Sequence, residues 1–353
     1  MPRIDAFLKL GIAQGCSDVH LAVGVPPMLR MSGDLVPIRF RELGGPELES
    51  YIMEILNRGH QDRFRGGEDI DFSYVSEDGG RFRVNVFRKD SGVGAVFRTI
   101  PAEIPTIESL GLPPIVPALC DYHQGMVLVT GSTGTGKSTT LAAMIDIINR
   151  SKYCNIITIE DPIEFLHPNK QSIVNQREVG LDTKSYGRAL RSAMRAAPDV
   201  IQIGEIRDRE SMQSAIDMAG TGHLVLATLH ANNSPETLDR IINMFPQEQH
   251  AQVFMDLAHY LRAIISQRLV RARNGKRVAA VELMLNTPHI RDLILRGDIS
   301  SVKEALQQSG ERGVQNFDDA LLNLYKTGTI TLEEAMLHAD SRANLEAKVN
   351  YGG

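Results

Sequence analysis

The chain has 353 residues, 42% apolar and 23% charged, enough to bury cores in two or three compact domains and too apolar for wholesale disorder. Its formal net charge of −5 gives no global basic footprint for nucleic acid or anionic lipid. Three cysteines (Cys16, Cys120 and Cys154) form no C-x-x-C pair, which excludes a disulfide scaffold and a four-cysteine zinc site. No apolar run approaches the ~18 residues that span a bilayer, and the N-terminus lacks a signal-peptide core, so the chain reads as soluble and held in a reducing compartment.

Residues 1–20 open with a predicted helix, in which Ile4, Phe7, Leu8, Leu10 and Ile12 fall near helical spacing and Gly15 is the stop. From Asp18 to Ile38 the pattern is short and strand-like, broken by Gly24, Pro26-Pro27 and the Ser32-Gly33-Asp34 turn signal. A second helix is expected over Gly45 to Asn57. Residues 69–75 and 81–88 then alternate polar and apolar around a Glu77-Asp78-Gly79-Gly80 turn, which predicts antiparallel strands with one wet face. Ala95-Val96-Phe97-Arg98 adds another strand, so residues 1–100 read as a small α+β domain.

Pro101, Pro105, Pro113, Pro114 and Pro117 forbid regular structure, and 101–115 is expected to be a linker. Apolar strands alternating with helices follow, at Gly125–Thr130, Ile156–Ile159, Val200–Ile203 and Leu224–Leu229. That alternation predicts a parallel sheet covered by helices, an α/β domain over 116–353. Residues after about 250 read as helices with short interruptions.

Gly131-Ser132-Thr133-Gly134-Thr135-Gly136-Lys137-Ser138 is a complete G-x-x-x-x-G-K-[ST] P-loop between an apolar strand and a helix beginning near Thr139. Its glycines let backbone N–H groups point at phosphates, and the helix N-terminus adds positive partial charge. Lys137 would reach the β- and γ-phosphates and the Ser138 hydroxyl would ligate Mg²⁺. Beyond the next strand, Glu160-Asp161-Pro162-Ile163-Glu164 brings carboxylates to the end of the sheet where ligands bind. They would approach the γ-phosphate or its attacking water, or else form an acidic helix-capping turn. Val200 to Ile203 ends in Gly204-Glu205, a Walker B layout whose carboxylate orders Mg²⁺ or its water shell. His223 and His230 bracket a buried strand at its opposite ends, which argues against a shared metal. Either is a structural strand-end histidine or a donor that senses the γ-phosphate. Arg81, Arg83, Arg88 and Arg98 line N-terminal strands as a solvated face or as cations that neutralise γ-phosphate charge.

Together these residues resemble the secretion ATPases, and among them the type IV pilus retraction ATPases of the PilT/PilU family. The resemblance covers nearly the whole chain. Ser17-Asp18-Val19-His20-Leu21 with Pro26-Pro27, Arg30 and Gly33 is similar to the family's N-terminal signature. The P-loop, the Glu160–Glu164 acidic box, Gly204-Glu205 and the His223–His230 box follow in family order. The resemblance implies a PAS-like N-terminal domain joined to a RecA-like P-loop ATPase domain, assembled as a homo-hexameric ring that hydrolyses ATP with Mg²⁺. Glu164 would be the catalytic glutamate that polarises water, and Glu205 the Walker B acid, acting on Mg²⁺ through water. His230 is grouped with these catalytic residues. Gly131 to Thr139, His223 and the four arginines would contact nucleotide. A cytoplasmic ring peripheral to the inner membrane is implied, acting on a pilus platform protein, with a second retraction ATPase as a further partner. A RecA-like nucleic-acid translocase shares the same sheet, but the acidic charge and the lack of an aromatic-basic stripe oppose it, and no nucleic-acid partner is expected. The larger N-terminal region and four-cysteine motif of assembly ATPases are missing. His289-Ile290-Arg291-Asp292-Leu293-Ile294 departs at its first and fourth positions from the Ala-Ile-Arg-Asn-Leu-Ile of PilT. With the tail from Asn316 to Leu345, this favours the accessory PilU branch over PilT itself.

Overall fold

A computed structural model describes residues 2–31, 33–100, 103–309 and 313–351. Ser32 of the expected turn and Pro101 at the head of the expected linker lie outside the described residues. The chain divides into two compact units, Met1–Glu103 and Ile104–Gly353.

The first unit is α+β. Strands β1 (Asp18–Ala22), β2 (Met28–Met31), β3 (Asp34–Pro37), β4 (Ile70–Val75), β5 (Arg81–Lys89) and β6 (Gly92–Ile100) form one sheet in the order β3-β2-β1-β6-β5-β4. Every pairing in it is antiparallel. Period-two alternation puts Val19, Leu21, Leu29, Phe82, Val84, Val86 and Phe97 into a core shared with helices α1 (Asp5–Ala13), α2 (Gly45–Ile55) and α3 (Arg58–Arg65). The expected alternation of residues 69–75 and 81–88 is therefore real. Helix α3 was not foreseen. It is almost wholly polar and buries Phe64, while His60 packs on Phe72, Gln61 donates to the Met53 and Leu56 carbonyls, and Asn57 caps the His60 N–H at 2.8 Å.

The second unit carries α4 (Val116–Leu119), β7 (Gly125–Thr130), α5 (Lys137–Ser151), β8 (Asn155–Glu160), β9 (Ile173–Glu178), α6 (Tyr186–Ala193) and β10 (Val200–Ile203). It continues with α7 (Arg209–Gly220), β11 (Leu224–Leu229), α8 (Ser234–Ile242), α9 (His250–Tyr260), β12 (Leu261–Arg271) and β13 (Arg277–Leu285). Helices α10 (Pro288–Leu295), α11 (Ser300–Gln308), α12 (Phe317–Lys326), α13 (Leu332–His338) and α14 (Arg342–Tyr351) complete it. Seven strands run in the order β13-β12-β7-β11-β10-β8-β9, parallel except for the β12–β13 hairpin. Met126 and Leu128 face one helical layer while Val127 and Val129 face the other, so the sheet is buried on both sides in the RecA-like manner.

Two expectations need correction. Residues 261–285, expected to be helical, form the antiparallel β12–β13 hairpin, turned through Asn274-Gly275. Edge strand β9 also went unread, because only Ile173 and Val174 are apolar. After Glu103 the chain keeps company with the second unit, where Ile107 and Leu112 are buried beside Leu141 and Ile145.

Candidate functional site

The P-loop joins β7 to α5 as its sequence requires. Gly131 has φ +146°, and a Cβ there would stand 2.5 Å from Thr135 Oγ1 and 2.6 Å from the Gln267 carbonyl of β12, so only glycine fits. Gly136, at φ +91°, forms the left-handed N-cap from which α5 starts at Lys137. Its first-turn N–H groups therefore face the loop's interior, the arrangement that receives anions. The Lys137 ammonium is largely buried and donates to the carbonyls of Gly131 at 2.9 Å and Ser132 at 2.8 Å. Burial pulls its pKa below the ordinary lysine value, partly opposed by the charges of Glu205 and Glu164.

Glu205 follows β10 after Gly204. Its Oε1 lies 3.1 Å from His230 Nε2, and its Oε2 accepts from Arg207 Nε at 2.9 Å. The parallel register Ile203↔Ala227 brings these two strand ends together. Thr228 reinforces them by donating to the Gly204 carbonyl at 2.5 Å. The backbone is close-packed at Gly204, where a Cβ would crowd Tyr186 Oη at 3.0 Å and the Ile159 carbonyl at 3.1 Å. Burial raises the Tyr186 phenol well above its usual pKa, keeping it neutral beside this acidic cluster.

The two acids of the box differ in environment. Glu160 is buried, accepts from Thr158 Oγ1 at 2.6 Å and Gln176 Nε2 at 3.0 Å, and burial lifts its pKa above the usual carboxyl value. It is therefore a structural carboxyl and does not reach out to phosphate or water. Glu164 is exposed between the buried Ile163 and Phe165.

The histidines part as their spacing predicts, and only His230 meets the acidic cluster. His223 precedes β11 at the opposite end of the sheet, where its neighbour Leu224 pairs with Gly125 and its Nδ1 lies 3.1 Å from the Met218 carbonyl. Within the chain, His223 is thus not brought to the P-loop, contrary to its place among the nucleotide-contacting residues.

The arginines also separate. Arg83 and Arg98 are direct cross-strand partners on one face, and Arg81 shares that face of β5. Arg98 Nε donates to Asp18 Oδ1 at 3.0 Å. Arg30 approaches the other oxygen of that carboxylate at 3.6 Å. Burial opposes the charge on Asp18, but the Ser17 hydroxyl and Arg98 outweigh it and hold the pKa below the usual range. Arg88 is the exception and does not join this row. It has the parity of the core-facing residues, stacks 4.4 Å over Phe64 and pairs with Glu49 at 3.0 Å.

Sequence reasoning passed over Arg207, Tyr186 and Gln267. Only Arg207 carried a signal, as a cation two residues beyond the Walker B acid. Among the described residues no helix is long and apolar enough to cross a membrane, and no cluster of His, Cys, Asp or Glu forms a preassembled metal site.

Residues 81–287 match the family described as "Type II/IV secretion system protein". The chain is 44% identical to the type IV pilus ATPase PilU of Pseudomonas aeruginosa, over 99% of this chain and 92% of that protein. Identity to the retraction ATPase PilT of the same organism is also 44%, over 94% of this chain and 96% of PilT. A crystal structure of the pilus retraction motor PilT with bound ADP superposes with a TM-score of 0.92 at 43% identity, covering 98% of this chain and 99% of that one. The chain belongs to the type II/IV secretion ATPase family and, within it, to the PilT and PilU group of type IV pilus ATPases.

Proposed function

We propose that this chain is an ATP-hydrolysing motor that powers type IV pilus retraction as a homo-hexameric ring. The ring acts in the cytoplasm at an inner-membrane platform protein. The observation that carries the reading is a complete P-loop after β7 with Glu205 held at the same end of the parallel sheet, 3.1 Å from His230 beyond β11.

In the reaction, the N–H groups that open α5 cradle the phosphates of ATP, and Lys137 exchanges its bonds to the Gly131 and Ser132 carbonyls for phosphate oxygens. Glu164, exposed at the loop, orients and polarises the attacking water. The oxygen donors Ser138 Oγ and Glu205 suit Mg²⁺, with Glu205 acting through water because both its oxygens already have partners. Bound Mg²⁺ supplies neutralisation of charge at the phosphates. His230 holds Glu205 in place and reports through it on the occupied site. Arg83 and Arg98, two cations held side by side, are the N-terminal candidates for neutralising phosphate charge.

Identity to PilU and to PilT is the same 44%, so the accessory, PilU-like role is proposed on the sequence of the segment 289–294. That segment lies in α10 with Ile290, Leu293 and Ile294 buried, while Asp292 pairs outward with Arg296 at 2.7 Å. The departures from PilT therefore change the surface of that helix and spare its core. ATPase rate and native mass, measured together with and without a cytoplasmic fragment of the platform protein, test the reading. A six-copy mass and platform-sensitive hydrolysis are expected. A monomer stimulated by single-stranded DNA would replace it with a translocase.

A further inference from the structure

We propose that Gln176 and Glu178 of edge strand β9 are positioning residues that fix the backbone on both sides of Glu164 and so set the place of its carboxylate. This rests on the reading of Glu164 as the group that polarises water.

The stretch from Asp161 to His167 leaves β8 with no helix or strand ladder to hold it. Side chains hold it instead. The Ile163 N–H donates to Glu178 Oε2 at 3.1 Å. Gln176 then grips the far side with both ends of its amide. Its Oε1 accepts from the His167 N–H at 2.8 Å, and its Nε2 donates to the Phe165 carbonyl at 2.8 Å. The same Gln176 Nε2 also donates to the Glu160 carboxyl at 3.0 Å, so one amide ties the end of β8 to the stretch after it.

The register explains the match. Thr158 pairs with Gln176 and Glu160 with Glu178, so the anchors alternate along one face of two parallel strands. Ile163 and Phe165 are buried at 5% and 7% exposure, so Glu164 projects outward from a backbone fastened before and after it. A carboxylate that must meet a water near the γ-phosphate loses rate when its loop wanders by an ångström, and support of this kind is what prevents that. The amide is specifically required at 176, because one peptide N–H and one carbonyl must be satisfied together. Leucine satisfies neither.

The test uses the full chain, with steady-state ATP hydrolysis and the affinity of a fluorescent ATP analogue. Gln176→Leu is made in the wild-type and in the Glu164→Gln background. Alone, it is expected to lower kcat about 10- to 100-fold, with KM and analogue affinity held within about twofold. In the Glu164→Gln background the same change is expected to move the residual kcat by less than about twofold, because the carboxylate it positions has gone. Glu178→Gln, which keeps an oxygen for Ile163, is expected to retain most activity where Glu178→Leu does not, and this pair decides the matter if Gln176→Leu does not fold. Equal losses in both backgrounds, a loss confined to nucleotide affinity, or full kcat in Gln176→Leu beside an inactive Glu164→Gln would each overturn the positioning role alone. Full turnover in Glu164→Gln would instead overturn the reading of Glu164, and the positioning role with it.

Discussion

The carboxylate of Glu205 stands between two cationic or potentially cationic partners, with Oε1 3.1 Å from His230 Nε2 and Oε2 2.9 Å from Arg207 Nε. One side chain thereby ties the loop after β10 to the end of β11, at the C-terminal ends of the central strands where the P-loop opens. Removing the imidazole frees one carboxylate oxygen without touching the phosphate cradle. His230→Ala is expected to lower kcat about tenfold, as loss of an outer partner of a site carboxylate does, with nucleotide affinity little changed. A Mg²⁺ titration of hydrolysis, run beside analogue binding, checks it. A kcat equal to the wild type's would remove His230 from the site.

Gly131 tests the cradle itself. Gly131→Ala forces a Cβ to within 2.6 Å of the Gln267 carbonyl and a positive φ onto an L side chain. Strain of this kind costs about 1–3 kcal/mol. A lower melting temperature and loss of nucleotide binding are expected together, by thermal melting and analogue titration. Unchanged binding would mean that the loop tolerates displacement.

His167 gives the fold a pH signature. Burial pushes its imidazole down to about 4, against which the nearby Asp146 charge is a weaker opposing influence. Because the folded pKa lies below the unfolded one, the stability linked to the neutral ring is fully present above about pH 6.5 and is lost as pH falls through about 4. The loss amounts to about 3 kcal/mol at most. Chemical denaturation from pH 7 to 4 is expected to show a steeper fall for the wild type than for His167→Gln. Parallel curves would refute the buried neutral ring.

In the N-terminal unit, Asp18 is buried between Arg98 at 3.0 Å and Arg30 at 3.6 Å. Both arginines keep substantial solvent contact, so they rehydrate when the carboxylate is removed. Asp18→Ala is therefore expected to destabilise the unit by about 1–2 kcal/mol, less than a fully buried pair would lose. Urea denaturation measures this. A loss of 4 kcal/mol or more, on the scale of a fully buried pair, would mean that the arginines are left desolvated.

The catalytic half of the sheet was legible because its strands are apolar runs that end at chemistry. Strands β7, β10 and β11 fall on the residues the pattern named, and the P-loop carries its own context. Strands β12 and β13 were hidden because α9 ends at Tyr260 and β12 begins at Leu261, with no glycine or proline to mark the change. Ser266, Gln267 and Arg268 also interrupt the apolar run of β12. Strand β9 was hidden for the opposite reason. Its last four residues, Asn175 to Glu178, are polar, and at least two of them serve a loop that sequence spacing cannot show to be adjacent. The acidic box exposed the limit of motif reading. Glu160 and Glu164 look equivalent as letters, yet one is buried and bonded by Thr158 and Gln176 while the other faces solvent.

Glu164 is proposed to act on the attacking water in ATP hydrolysis at this P-loop site. The most direct measurement is kcat for ATP hydrolysis by purified Glu164→Gln against the wild type, with analogue affinity determined on the same preparations. A fall in kcat of about 100-fold or more is expected, with affinity preserved. Turnover undiminished in Glu164→Gln would contradict it.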